Sequence, residues 1–217
     1  MRAIQTRYAG CYFRSRLEAR WAVFFDTLSI EWRYEPEGFD LGDMGWYLPD
    51  FYLPEHKTWI EIKPNDPSLE ELLKPGALYY SQPYEEDMNE VFVFFGNIPY
   101  PWPQKPNAYD AAFPICGAEY AWKECVLCGD VHIGLINHVS CRKGCTEKIE
   151  DALLSGIYDL IGAPDKNLKR DVGQTLKLAL RQTEFFGAGH KGEKLQIAYE
   201  AARSARFERK THLRPIK

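Results

Sequence analysis

Asp50, Glu61 and Lys63 stand out in "WYLPDFYLPEHKTWIEIKP", Trp46 to Pro64, because most of their neighbours are aromatic or aliphatic. Taking "PEHK", 54–57, as a turn makes the flanking runs antiparallel strands, with Leu53 opposite Thr58 and Asp50 opposite Glu61. Side chains alternate along a strand. Pro49, Phe51, Leu53, Ile60 and Ile62 therefore share one face, and Asp50, Tyr52, Trp59, Glu61 and Lys63 share the other. Two carboxylates facing each other repel. A cation between them removes that cost, and Lys63 or a divalent metal would serve. Oxygen ligands suit Mg²⁺. A lysine beside such a site can orient or deprotonate a water, or offset charge in a transition state. The competing reading is a solvated polar face with Lys63 as a salt bridge, which leaves two opposed acids among aromatics unexplained.

A second group with ligand spacing is "CVLCGDVHIGLINHVSCRKGC". Cys125 and Cys128 form one short-spaced pair, and Cys141 and Cys145 another. Four thiolates suit tetrahedral Zn²⁺, and a full set of four leaves no open position for catalysis. A structural zinc is therefore expected, with Gly129 letting the backbone turn toward it and His132 and His138 as alternative ligands. The competing reading is a set of reduced, partly buried thiols. Cys11 and Cys116 fall outside the cluster and read as free thiols. Arg142 and Lys143, between the second pair, are candidates for gripping nucleic acid.

Composition bounds both groups. With 45% hydrophobic and 14% aromatic residues, the 217-residue chain can bury a core. It has no apolar run long enough to span a bilayer, and its first residues lack the apolar centre of a secretory signal. A cytoplasmic protein with no membrane partner is expected, and clustered cysteines in that compartment argue metal before disulfide. The net charge of −4 is uneven: residues 1–33 carry +3, residues 166–217 carry +8, and the stretch between carries −15. Basic ends suit a polyanion partner, or simply solvated terminal helices.

These residues need elements to position them. Ser15 and Glu18 form a capping-box pattern, and Leu17, Trp21, Phe24, Phe25 and Leu28 follow at helical spacing. Glu31 to Tyr34 reads as a short strand before the hairpin. Ser68 and Glu71 open a second helix, which Pro75 and Gly76 are expected to break. "VFVFF", 91–95, reads as a buried strand. Five prolines fall in 99–114, a stiff linker or surface wrap. A helical tail ends in "EKLQIAYEAARSARFERK", 193–210, with Leu195, Ala198, Ala202 and Ala205 as an apolar stripe and Arg203 and Arg206 in a basic set.

Pro49-Asp50, ten residues, then Glu61-Ile62-Lys63 resembles the signature of the PD-(D/E)xK nuclease superfamily. The order helix, strand, hairpin, helix, strand is similar to that superfamily's core, and Glu18 stands where many members carry a further acid. The stretches "FRSRLEARWAVFFDTL", "EWRYEPEGFDL", "YLPDFYLP" and "WIEIKP" also resemble small phage and bacterial nucleases of this type. The resemblance covers residues 6–98, and it has no Gln-x-x-x-Tyr motif after the hairpin, although Gln82 is near. It implies an α/β, restriction-endonuclease-like core, a mixed sheet flanked by helices, to which a small zinc-binding module and a helical tail are appended. The expected division is 1–98 nuclease-like core, 99–115 linker, 116–150 zinc-ribbon-like module and 151–217 basic helical region.

The activity implied is Mg²⁺- or Mn²⁺-dependent endonucleolytic hydrolysis of DNA. Asp50, Glu61 and the Ile62 carbonyl would hold the metal, Lys63 would assist the attacking water, and Glu18 would complete the shell. Arg7, Arg14, Arg16 and Arg20 are placed to meet backbone phosphates, and Arg203 and Arg206 join them as nucleic-acid candidates. Two alternatives stay open: a nucleic-acid-binding protein with an idle nuclease core, and a zinc-stabilised interaction protein of a phage. Whether the DNA is duplex, branched or single-stranded, and the oligomeric state, are left open.

Overall fold

The computed structural model describes residues 3–83, 88–99, 111–112, 119–125, 128–135, 141–145 and 192–207. Glu18 is buried near the start of the first helix because two local bonds fix that start. The Ser15 hydroxyl accepts the Glu18 N–H at 3.2 Å and caps α1, Arg16–Thr27. The Glu18 carboxylate then accepts the N–H of Arg14 at 3.0 Å. The box expected at Ser15 and Glu18 is thus half made, with the carboxylate reaching one residue further back.

The chain divides into two compact units, residues 1–99 with 198–217, and residues 100–197. The first unit opens with a hairpin of β1, Thr6–Tyr8, and β2, Cys11–Phe13. The tight turn between them puts Ala9 at φ +46° and Gly10 at φ +81°, as the twist of a two-residue hairpin loop requires. After α1 come β3, Arg33–Tyr34, the pair β4, Phe39–Asp40, and β5, Trp46–Tyr47, then β6, Phe51–Leu53, and β7, Thr58–Lys63. β3 is shorter than the strand expected at Glu31 to Tyr34. α2, Leu69–Ser81, leads to β8, Glu90–Phe95.

β6 and β7 pair antiparallel with Phe51 opposite Ile60, Tyr52 opposite Trp59 and Leu53 opposite Thr58. This is the register expected from the alternation. β3 pairs antiparallel with β6, and β8 lies parallel to β7 on its other side. The sheet is therefore mixed, and both faces are covered. Phe51 and Phe94 meet the aromatic stripe of α1, with Trp21 to Phe94 at 4.7 Å and Phe25 to Phe51 at 5.3 Å between ring centroids, and Ile60 is fully buried. On the opposite face Trp59, Val91 and Tyr47 pack with Leu78 of α2.

That second packing layer explains why α2 does not break where expected. The helix runs through Pro75 and Gly76, and Pro75 is buried. An interior proline costs about 3 kcal/mol and a glycine about 1 kcal/mol. Burying one large apolar side chain returns about 1.5–3 kcal/mol, and Leu78 shares its cluster with Tyr47, Trp59 and Val91. Tertiary burial outweighs the local preference.

In the second unit β9, Ala111–Ala112, β10, Glu119–Glu124, and β11, Val131–Leu135, form an antiparallel meander, with Lys123 opposite His132. α3, Glu193–Ser204, starts in this unit and belongs to the first from Ala198 onward. Its stripe is buried at Leu195, Ala198 and Ala202, while Ala205 lies beyond its last turn. Residues 208–210 of the expected helix, and Cys116 and His138, lie outside the described residues. Among the described residues no helix is long and apolar enough to cross a membrane.

Candidate metal centres

Asp50 sits at a bend one residue before β6, and β7 presents Glu61 and Lys63 from a strand buried from Thr58 to Ile62. Asp50 is 3% exposed, Glu18 7% and Glu61 8%, so three carboxylates lie inside the first unit. Buried charges need partners. The Arg14 guanidinium donates to Asp50 Oδ1 at 2.8 Å, and the Ile62 N–H donates to Oδ2 at 2.7 Å. The Tyr34 hydroxyl donates to Glu18 at 2.6 Å. Tyr47 donates to Glu61 at 3.1 Å, and the Lys63 ammonium pairs with the same carboxylate at 2.9 Å.

The pairing of β6 with β7 ends at Phe51 and Ile60. Two residues on, the Ile62 N–H is held by the Asp50 side chain. Continuing the register sets Ile62 opposite Pro49, whose missing N–H leaves the Ile62 carbonyl without a strand donor from that side. N–H and C=O of one strand residue project to the same side, so the Ile62 carbonyl also faces the Asp50 side.

Glu35 is a fourth acid at this centre that sequence reasoning passed over. It pairs with Arg14 at 2.6 Å, and its N–H donates to the Asp50 carbonyl at 2.9 Å. Its φ of +45° is uncommon for a residue with a side chain and is found disproportionately at functional sites. The residue before a proline is normally extended, so "YEPEG" held no signal for this geometry. Tyr34 and Tyr47 also went unremarked, since a tyrosine pattern reads as packing.

Formal charges show what the centre lacks. Among the described residues, Glu18, Glu35, Asp50 and Glu61 are met by the cations Arg14 and Lys63, which leaves two negative charges when all four acids are ionised. Burial, then Glu61 and Glu18, push Asp50 up to about 8, against the opposing pull of the Ile62 N–H and Arg14. Burial and the Glu61 carboxylate hold the Tyr47 hydroxyl well above its ordinary range, so it stays a donor. Lys63 is raised: burial opposes the charge, but Glu61, Asp50 and Glu71 outweigh it. A deficit of two charges among oxygen donors fits one hard divalent cation in kind and number. The carboxylates are each held on separate protein donors, however, and are not gathered as the cysteines are.

Among the described residues, Cys125, Cys128, Cys141 and Cys145 are the set whose ligand atoms all lie within 4.8 Å of one another. Cys128 and Cys141 sulfurs are 3.6 Å apart, against about 3.8 Å for the edge of a tetrahedron with ~2.3 Å zinc–sulfur bonds. Four close cysteines could hold a metal ion, and their spacing is compatible with structural zinc. Gly129, at φ +66°, donates to the Cys125 carbonyl at 2.8 Å, and Gly144, at φ +74°, donates to that of Cys141 at 3.1 Å. Each pair thus closes its own tight turn. The Asp130 N–H stabilises the Cys128 thiolate and brings it down to about 7, while sharing of hydrogens with Cys128 and Cys141 pushes Cys145 up to about 12. His132 is not in the set. It lies buried on β11 with Nδ1 3.6 Å from Asp130 Oδ2.

The arginine candidates separate. Arg14 joins the acidic centre. Arg7 lies over the ring of Tyr12 on the β1–β2 hairpin, 5.4 Å from its centroid. Arg142 and Lys143 both turn to the buried Asp130, at 3.1 and 3.5 Å, which gives them a local role beside the cysteines. Arg203 donates to the Ile98 carbonyl at 2.6 Å and Arg206 to that of Ser204 at 2.9 Å. Comparison of the chain with protein-family models, curated proteins and solved structures finds no match.

Proposed function

We propose that the first unit is a Mg²⁺-dependent endonuclease centre that hydrolyses phosphodiester bonds in DNA. The observation that carries this reading is the shortage of cations at the centre: Arg14 and Lys63 face four acids, of which Glu18, Asp50 and Glu61 are buried and Glu35 is partly buried. Asp50, Glu61 and the Ile62 carbonyl would hold the metal, with Glu18 completing the shell. Bound Mg²⁺ supplies the Lewis acid that lowers the pKa of a water and offsets charge on the phosphate. Lys63, fixed by Glu61, orients that water or meets the scissile phosphate. Tyr47 and Tyr34 hold the Glu61 and Glu18 carboxylates at set angles. Arg14 is shared between Asp50 and Glu35 and is more than half exposed, so it can exchange an acid for an entering phosphate. In the second unit, the four cysteines hold a structural Zn²⁺.

One observation favours a second reading, a nucleic-acid-binding protein with an idle centre. Both oxygens of Asp50 already accept bonds from the protein. The two readings separate on supercoiled, linear, single-stranded and branched DNA, with Mg²⁺, Mn²⁺ or EDTA, beside Asp50→Asn and Glu61→Gln. Metal-dependent cleavage lost in both variants supports the nuclease. Cleavage that survives both removes the assignment, and retained DNA binding without cleavage of any substrate favours the idle centre.

A further inference from the structure

The arginines of α1 and α3 belong together, and not with the acidic centre. Arg16 and Arg20 stand four residues apart on α1 and share a face at about 100° per residue. Glu18, two residues from each, projects from the opposite side and is buried. α3 adds Arg203 to the first unit, and Arg206 follows two residues past its end. Tyr199 packs on Phe24 of α1 with ring centroids 4.8 Å apart, and Ala198 and Ala202 are buried beside it. Arg20 is one turn from Phe24 and Arg203 one turn from Tyr199, so this contact carries the two guanidiniums toward each other.

The electrostatics agree with that placement. Burial, then the charges of Arg206, Arg203 and Arg16, hold Arg20 below its ordinary value. Among the described residues, Arg16, Arg20 and Arg206 make no ion pair. The Arg20 Nε is buried with no hydrogen-bond partner. Backbone carbonyls hold Arg203 and Arg206 in place, through Ile98 and Ser204. Four like charges brought together by a ring contact and two carbonyl tethers invite an anion. Guanidinium forks match phosphate oxygens in pairs.

We propose that Arg16, Arg20, Arg203 and Arg206 form a phosphate-binding site for the backbone of a nucleic acid, on the side of α1 turned away from Glu18. It rests on the nuclease reading only for the choice of polyanion, and it takes a phosphate other than the scissile one.

The test is binding of a labelled DNA duplex in EDTA, by fluorescence anisotropy across a salt series. The variant is Arg20→Gln with Arg206→Gln, and Arg33→Gln, whose partner is Glu31, is the control. Losing two phosphate contacts is expected to flatten the slope of log affinity against log salt by about 1.8, at ~0.9 per contact. Inorganic phosphate is expected to raise the melting temperature of the native chain and not of the double variant. An unchanged slope, or equal loss in Arg33→Gln, overturns the proposal. If the double variant does not fold, Arg206→Gln alone is read, with half the change in slope. Cleavage is scored separately. A flattened slope with no cleavage by the native chain keeps this site and removes the nuclease; an unchanged slope with cleavage intact removes this site alone.

Discussion

The acidic centre and the cysteine cluster collect charge in opposite ways. Around Asp50, each carboxylate is held by the chain's own donors: Arg14 and Ile62, Tyr34, Tyr47 and Lys63. The four thiols are gathered on one another, with Cys128 and Cys141 sulfurs 3.6 Å apart. The first arrangement can fold without an ion, because hydrogen bonds and two cations meet most of the desolvation cost. The second brings four soft donors within 4.8 Å of one another. One centre is held by the chain's own donors, and the other is a set of thiols close enough to hold a metal ion.

The largest expected effect tests that contrast directly. Removing metal with a strong chelator is expected to unfold the second unit around β10 and β11, because structural zinc contributes about 10–16 kcal/mol in small modules. Hydrogen exchange along β10 and β11 is expected to become rapid while β6 and β7 keep their protection. Full protection of β10 and β11 without metal breaks the comparison.

Next in size is chemistry at the acidic centre. Asp50→Asn and Glu61→Gln are each expected to lower single-turnover cleavage by about 100-fold or more. A metal ion supplies several kcal/mol of charge stabilisation, and about 1.4 kcal/mol is tenfold in rate. Near-UV circular dichroism is expected to stay native, since neutral amides replace acids the fold already holds in deficit of cations. A variant that unfolds would show the carboxylate to be structural.

A smaller effect is expected from Arg14→Gln, which removes the protein's own cation from Asp50 and Glu35. Mn²⁺, titrated calorimetrically, is expected to bind roughly threefold tighter. A close charge pair is worth a few kcal/mol in a partly buried setting, but Arg14 is more than half exposed and solvent screens most of that. Unchanged affinity would mean that Arg14 does not compete with an ion.

Much of the scaffold was legible in the sequence and much of the site was not. The β6–β7 register follows from alternation, since a slip of one residue would turn Phe51 and Ile60 to the polar side. The two N-caps follow from Ser-x-x-Glu. The run of α2 through Pro75 was hidden, because it depends on Leu78 meeting Trp59 and Val91, residues distant in sequence. Glu35 was hidden by its left-handed backbone, and the convergence of Arg20 with Arg203 by 183 residues of intervening numbering. Pairwise distances within one element can be read from spacing. The partners that neutralise a buried charge come from elsewhere in the fold.

A slope in stability with pH is also expected, and it discriminates between the two centres without any substrate. Asp50 is pushed up to about 8 from an ordinary 3.8 by burial and by Glu61 and Glu18. The folded state therefore holds a proton that the unfolded chain releases. That preference stabilises the fold fully below about pH 4 and is lost as pH rises through 8. In EDTA, melting of the first unit, followed by its aromatic near-UV signal, is expected to fall across that window. Each kcal/mol lost shifts the midpoint by roughly 2–4 °C in a chain of this size. Asp50→Asn is expected to flatten the slope and to melt higher than the native chain near pH 8. Added Mg²⁺ is expected to reverse it, because a cation stabilises the deprotonated carboxylate. A native chain whose melting is flat from pH 4 to 8 in EDTA would mean that Arg14 and the Ile62 N–H already balance Asp50, and the centre would have no charge left to offer an ion.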